Sequence, residues 1–138
     1  MTKPLTDLER LFQALADTTR LRILGLLLAG EVCVCHIHES LRIPQPKASR
    51  HLAYLKRAGL VSARKDGLWV HYRLADARDS DLAAIREAVI HALGPIDAVR
   101  KDANRLYQKT GCCVPGERLV PLASPRTVPA PIMPPPGL

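Results

Sequence analysis

Aromatic residues are scarce in this chain of 138 residues, which has one tryptophan, one phenylalanine and three tyrosines. Hydrophobic residues still make up 47% of the sequence, so the core must consist mainly of leucine and alanine. Both are strong helix formers, and the composition therefore favours helices. The length suits a single domain with a modest core.

Long apolar runs are missing as well. The longest, residues 23–29, is interrupted by Gly25 and falls well short of the roughly 20 residues that cross a bilayer. The N-terminus lacks the charged, apolar and cleavage regions of a signal peptide. We therefore expect a cytoplasmic protein without a membrane partner. Its four cysteines are expected to be thiols or metal ligands rather than disulfides.

Acidic residues are outnumbered, with 13 against 20 lysines and arginines, which gives a net charge of +7. This surplus suits a polyanionic partner such as nucleic acid. The sequence also has no phosphate-cradling loop and no Cys-x-x-Cys pair. We therefore expect a binding protein and not an enzyme such as a thiol reductase. A constitutive, architectural DNA-binding protein is a further alternative.

Apolar residues recur at helical spacing at the start of the chain. This spacing predicts a helix over residues 7–16. Asp17 or Thr18 can cap a second helix, because short polar side chains accept hydrogen bonds from the first backbone amides of a helix. Gly30 ends that helix.

A third, short helix is predicted over about residues 35–41. The Ile-Pro-Gln-Pro sequence at 43–46 breaks it, since proline disfavours helical geometry in the residue before it. Pro46 suits the first turn of a fourth helix over residues 46–58. Gly59 ends the fourth helix.

After Gly59 apolar and polar residues alternate with a period of two, which predicts a β-hairpin. Its strands cover residues 61–65 and 68–74, and Asp66 and Gly67 form a tight turn between them. The inward-facing residues are predicted to be Val70, Tyr72 and Leu74, and the outward-facing ones Trp69, His71 and Arg73.

The last third of the chain divides into two parts. From about residue 79 to 109 the pattern is again helical, and Gly94-Pro95 either kinks or interrupts it. From Val114 onward eight of twenty-five residues are proline, which predicts a disordered tail. We therefore expect one domain over residues 1–113 and a tail over 114–138.

A short helix, a tight break, a basic helix and a hairpin together predict a winged helix-turn-helix, a mainly α fold with a small β-hairpin wing (α+β). Its second helix presents N-terminal polar residues to the major groove, where arginine and glutamine make bidentate pairs with base edges. The candidates for base contact are Gln45, Lys47, Ser49 and Arg50. The candidates for phosphate contact are Lys56, Arg57, Arg64 and Lys65, with His71 and Arg73 as further possibilities. His51 has either a DNA-side role or a packing role. The alternative for all these charges is a solvated helix face.

Three stretches carry a family resemblance: ALADTTRLRILGLL, EVCVC and PQPKASRHLAYLKRAGLVSARKDGLWVHYRL. They resemble the ArsR family of metal-sensing repressors, and in particular its arsenic-responsive branch. The resemblance covers about residues 8–74, with the order, the spacing and the wing in agreement.

The resemblance implies a homodimer that is built on the first and last helices. The dimer would bind a palindromic operator in double-stranded DNA without any cofactor, and leave it when a metal or metalloid inducer binds. The apolar stripe from Leu82 to Val99 would be available to the partner subunit. Trivalent arsenic is the expected inducer, and cadmium, lead or antimony is the alternative within the same family.

Cys33 and Cys35 are soft thiolate ligands. The arsenic-responsive pattern resembles C-V-C-x-x-C, and His38 stands here where the third thiolate would be. In a regular helix Cys33 and Cys35 would point about 200° apart. Cys33 must therefore lie in extended chain before the helix, where residues two apart share a side, or the first turn must unwind. Binding would then bend the leading helix of the DNA-binding unit.

The second cysteine pair, Cys112 and Cys113, follows the final predicted helix. Adjacent thiolates could clamp a soft metalloid, or one of them could supply the missing sulfur. The alternative is two incidental thiols. The sequence leaves open whether His38, Cys112 or Cys113 completes the site.

Overall fold

The structure, a computed structural model, describes residues 4–76 and 80–108, without the side chains of 80–82. The predicted tail over 114–138 and the pair Cys112 and Cys113 lie outside the described residues. The boundary between domain and tail therefore stays a prediction.

Helices dominate the described residues, and a small sheet accompanies them, as the composition and periodicity predicted. In chain order the elements are α1 (Leu5–Leu15), α2 (Thr18–Leu26), β1 (Val32–Cys33), α3 (Val34–Leu41), α4 (Gln45–Arg57), β2 (Val61–Asp66), β3 (Trp69–Leu74), α5 (Ser80–Leu93) and α6 (Asp97–Gln108). A short 3₁₀ turn, Leu27–Ala29, follows α2.

The ends of the helices follow local chemistry. Asp17 is the cap of α2, and its Oδ2 accepts a hydrogen bond from the backbone amide of Arg20 at 3.0 Å. Between α3 and α4 the backbone of Arg42 adopts a left-handed conformation with φ of 60°. The extended residue Pro44 then precedes α4, which begins one residue earlier than predicted.

The final helical pattern is interrupted and not merely kinked, because α5 ends at Leu93 and α6 begins at Asp97. Val99 is 4% exposed and packs into the core of its own chain. It lies so close to α2 that a Cβ added to Gly25 would be 2.6 Å from its Cγ1. Leu93 is likewise 4% exposed in the core, so the prediction that the apolar stripe is available to a partner was wrong at Leu93 and Val99.

The described strands form an antiparallel sheet in the order β1–β3–β2. The sequence did not predict β1, which has only two residues. Asp66 pairs with Trp69, so Gly67 and Leu68 form the turn, one residue later than predicted. Gly67 takes the positive φ of 63° at the first turn position, which glycine tolerates without strain.

The predicted outward orientation of His71 was wrong, since its side chain is 3% exposed. The reason is β1, which pairs with the outer edge of β3 and places Cys33 opposite His71. Trp69 and Arg73 are exposed as predicted, whereas Tyr72 on the inward face is half-buried.

The core is rich in leucine and joins the helices to the base of the sheet. Leu24 and Leu26 on α2, Leu52 and Leu55 on α4 and Leu106 on α6 are at most 2% exposed. These contacts fix α4 and the hairpin relative to one another. Within residues 4–76 and 80–108, no helix is both long and apolar enough to cross a membrane.

Candidate nucleic-acid interface and thiolate site

Helix α4 has one buried face and one polar face. Ala48, Leu52 and Leu55 are fully buried at a spacing of three to four residues, which is the period of a helix face that packs on a core. The exposed side chains include predicted DNA contacts, namely Gln45, Lys47, Ser49, Arg50 and Arg57. The helix therefore presents its N-terminal polar residues outward from a fixed scaffold.

His51 differs from these residues because its side chain packs inside the chain. Its Nδ1 lies 3.3 Å from Nη1 of Arg20 and 3.8 Å from Oδ2 of Asp17. Burial lowers the pKa of His51, although the carboxylate of Asp17 opposes this shift. A neutral ring lets Nδ1 accept a hydrogen bond from the guanidinium. His51 thus connects α4 to the start of α2, while a contact between His51 and DNA stays a prediction.

Arg20, which the sequence reasoning missed, holds α4 in place. Its guanidinium lies 4.0 Å from the ring centroid of Tyr54 on α4. The same group donates to the carbonyl oxygens of Ala14 at 2.8 Å and Gln13 at 3.0 Å. A planar guanidinium with five donors can make these contacts at once. One side chain therefore joins the end of α1 to α4.

The hairpin carries the remaining predicted contacts. Arg64 and Lys65 are exposed near its tip. Arg64 also contacts Glu31, since its Nη2 donates to Oε1 at 2.6 Å and its Nε to Oε2 at 3.0 Å. The hydrogen bonds from Arg64 lower the pKa of Glu31. The wing is thereby attached to the residues that precede Cys33.

Cys33 and Cys35 lie side by side, with their Sγ atoms 3.4 Å apart. This separation is far longer than a disulfide bond of about 2.05 Å, so both are thiols. Cys33 is the cap residue of α3 and has extended backbone, with φ of −71° and ψ of 147°. Of the two alternatives, Cys33 in extended chain is the one observed. Cys33 is buried and Cys35 is half-buried.

The part of the chain that contains α4 and the cysteine pair is similar to known regulators. The model of the bacterial regulatory protein arsR family matches residues 17–63. The arsenical resistance operon repressor of Escherichia coli is 55% identical over 67 residues, which are 48% of this chain and 57% of that protein. A cadmium resistance transcriptional regulatory protein CadC homolog of Staphylococcus aureus is 37% identical over 86 residues, which are 62% of this chain and 69% of that protein.

A solved structure agrees with these relatives. A homodimeric winged helix-turn-helix DNA-binding domain from Mycobacterium bovis, described as a possible ArsR-family transcriptional regulator, is 38% identical with a TM-score of 0.54. The match covers 62% of this chain and 76% of that one. The chain belongs to the arsR family. Its fold is a winged helix-turn-helix, and the family and relatives that it matches are transcriptional regulators, not enzymes.

In this arsR-family protein the described residues do not bring a third metal donor to the cysteine pair. Nδ1 of His38 lies 3.2 Å from the carbonyl oxygen of Ile43, at the other end of α3. Over residues 4–76 and 80–108, no three histidine, cysteine, aspartate or glutamate side chains form a group that could hold a metal ion. A ligand role for His38, Cys112 or Cys113 stays a prediction.

The C-terminal end of α3 is held by a charged cluster that the sequence reasoning did not find. Asp102 on α6 is 1% exposed and accepts hydrogen bonds from Arg22 and Arg105. The same arginines donate to the last carbonyl oxygens of α3, Arg22 to Leu41 at 3.2 Å and Arg105 to Ser40 at 2.7 Å. Positive charge at this end of a helix complements its dipole. In the arsR-family protein α3 is thus anchored at one end, with the thiols at the other.

Proposed function

We propose that this protein is a metalloid-responsive transcriptional repressor that binds operator DNA as a homodimer and leaves it when trivalent arsenic binds. The observation that carries the proposal is the 3.4 Å separation of the Cys33 and Cys35 sulfurs at the first turn of α3. This helix leads into the turn before the recognition helix. A ligand of the thiols therefore acts next to the DNA-binding surface.

Two thiolates select soft ions over hard ones. At this separation one soft ion could contact both sulfur atoms. The similarity to an arsenical resistance operon repressor supports trivalent arsenic as that ion.

A third donor completes the site in this proposal, and three candidates remain. His38 would have to give up its contact with the carbonyl of Ile43. Cys112 and Cys113 follow α6 in the sequence, and Arg105 of α6 contacts the C-terminal end of α3.

The release mechanism follows from the position of the thiols. Cys33 precedes α3 and Cys35 belongs to its first turn. A third donor that joins them favours a conformation in which this turn is displaced. The inducer then shifts the equilibrium away from the state that fits DNA, by as much as it prefers the displaced conformation.

The DNA-binding surface in this proposal consists of the exposed face of α4 and the wing. Polar residues at the N-terminal end of α4 contact bases, and the basic residues farther along contact phosphates. A homodimer doubles the surface and reads two half-sites related by two-fold symmetry. The exposed residues assigned to this surface are Gln45, Lys47, Ser49, Arg50, Arg57, Arg64 and Lys65, and the half-buried His51 is assigned to it as well.

The test uses the full chain and an operator selected by the protein from random DNA. Fluorescence anisotropy would follow the release of labelled operator as sodium arsenite is added. Cys33→Ser with Cys35→Ser is expected to bind the operator normally and to resist release. Cys112→Ser with Cys113→Ser tests whether the C-terminal pair takes part in sensing. If only the second double variant loses the response, sensing belongs to the C-terminal pair.

The alternative inducers are cadmium, lead and antimony, because one relative of the chain is a cadmium regulator. The same assay with each ion separates them. Release by cadmium but not by arsenite would contradict the arsenic proposal and leave the repressor proposal standing. Absence of a selected operator would contradict both.

A further inference from the structure

Residues 31–33 connect the cysteine pair to the wing. Glu31 accepts hydrogen bonds from Arg64 of β2 at 2.6 and 3.0 Å. The next residues form β1, in which Val32 pairs with Tyr72 and Cys33 with His71. The short segment before α3 is therefore bound to both strands of the hairpin.

A row of side chains crosses the sheet at this level. Cys33 lies opposite His71, and His71 lies opposite Arg64. Directly opposed residues in antiparallel strands project from the same face and are close neighbours. His71 in the middle of the row is 3% exposed. The row begins at a thiol and ends at an exposed arginine of the wing.

Residues 31–33 make few backbone pairs with the hairpin. With only two residues, β1 forms two residue pairs with β3, whereas β2 forms six. Short strands at the edge of a sheet open more easily than central ones. A ligand that moves Cys33 would therefore disturb β1 before it disturbs the hairpin itself.

We propose that residues 31–33 transmit inducer binding to the wing, with Glu31 as the positioning residue for Arg64. This inference rests on the proposed function, since it assumes that the inducer binds Cys33 and Cys35. Displacement of Cys33 pulls Glu31 from its position beside β2. Arg64 and the hairpin then change orientation relative to α4, and the wing no longer fits the DNA that α4 contacts.

The single tryptophan of the chain reports on this movement. Trp69 begins β3 two residues before His71 and is 42% exposed. Acrylamide quenching of its fluorescence measures its accessibility in the full-length protein without DNA. Sodium arsenite is expected to change the quenching constant of the wild type. Cys33→Ser with Cys35→Ser is expected to remove this change.

The role of Glu31 is tested by Glu31→Gln, which keeps the size of the side chain and removes its charge. Binding of arsenite, followed by the protection of thiols from a thiol reagent, is expected to equal that of the wild type. Because Arg64 then lacks its charged partner even without inducer, Glu31→Gln is expected to bind the operator more weakly than the wild type, and the fold-change in operator affinity that arsenite causes is expected to be about tenfold smaller. Asp66→Asn is the matched control, because Asp66 also faces Arg64, at 3.7 Å, but lies outside the segment.

The outcomes separate this inference from the proposed function. If arsenite protects no thiols and releases no DNA, the proposed function fails. If arsenite binds and releases DNA while the quenching of Trp69 stays constant, the wing is not moved and the inference is overturned. If Glu31→Gln responds like the wild type or like Asp66→Asn, Glu31 is not the link.

Discussion

Asp102 and Arg22 join two parts of the chain that are 80 residues apart, through hydrogen bonds of 2.9 and 2.8 Å. Asp102 is 1% exposed, while the Arg22 side chain retains a quarter of its exposure. The carboxylate therefore depends on its partners for the solvation it lost on folding. Because Arg22 also contacts the last turn of α3, this pair determines how α6 sits against the DNA-binding unit.

Asp102→Asn is expected to lower the free energy of unfolding by about 3 kcal/mol, since it removes one partner of a buried ion pair. Urea denaturation at a fixed protein concentration would measure the loss. Asp97→Asn is the control on the same helix, because Asp97 is exposed. The control is expected to cost less than about 1 kcal/mol, the usual contribution of an acidic residue in a first turn. Equal losses in the two variants would contradict the role of the cluster.

Gly25→Ala is expected to destabilise the protein by about 1–3 kcal/mol, the usual cost of overpacking a core. The added Cβ would lie 2.6 Å from a methyl carbon of Val99. Val99→Ala removes that methyl and is expected to offset part of the loss in the double variant. A double-mutant cycle by urea denaturation measures the coupling. Strictly additive losses would show that the two helices adjust without contact between these residues.

Asp17→Ala is expected to cost about 1 kcal/mol at neutral pH, because it removes the cap of α2. Burial raises the pKa of Asp17, but the amide and charge of Arg20 outweigh it and hold the pKa below its usual 3.8. A lowered pKa in the folded state stabilises the protein above pH 3.8, and this stabilisation disappears as the pH falls through the folded value.

The difference in unfolding free energy between wild type and Asp17→Ala should therefore shrink below pH 3.8. Asp17→Ser keeps an oxygen acceptor for the cap without a titrating group. It should retain most of the stability, and its margin over Asp17→Ala should not change with pH. If the difference in unfolding free energy between wild type and Asp17→Ala stays constant below pH 3.8, Asp17 is not a charged cap with a lowered pKa.

Arg50→Ala and Lys65→Ala should weaken DNA binding in different ways. If Arg50 contacts a base, Arg50→Ala should weaken binding to the operator by about 1–3 kcal/mol and should weaken binding to unrelated DNA only slightly. If Lys65 contacts a phosphate, Lys65→Ala should weaken binding to the operator and to unrelated DNA equally. It should also reduce the number of counterions released on binding, measured from the salt dependence, by about one. Anisotropy titrations on both DNAs at several salt concentrations would measure these effects. If Arg50→Ala loses the same affinity for both DNAs, Arg50 does not contact a base.

Local patterns predicted the recognition helix well because its buried spacing and its flanking prolines are properties of the nearby sequence. Local reasoning also limited the cap of α2 to Asp17 or Thr18 and the backbone of Cys33 to two alternatives, of which the structure has Asp17 and the extended chain. The burial of His71 was missed because β1 pairs with β3 and brings Cys33 beside His71. The two residues of β1 are too few to produce a periodic signal.

The charged contacts could not be predicted for a related reason. Asp102 and Arg22, or Glu31 and Arg64, are ordinary surface residues in the sequence, and only long-range packing brings them together. The chemical identity of the thiols and the order of the first four helices and the hairpin are therefore determined by the sequence alone. Tertiary structure decided which side chains surround those thiols and which strands they touch, since contacts between distant residues depend on the burial of the whole core.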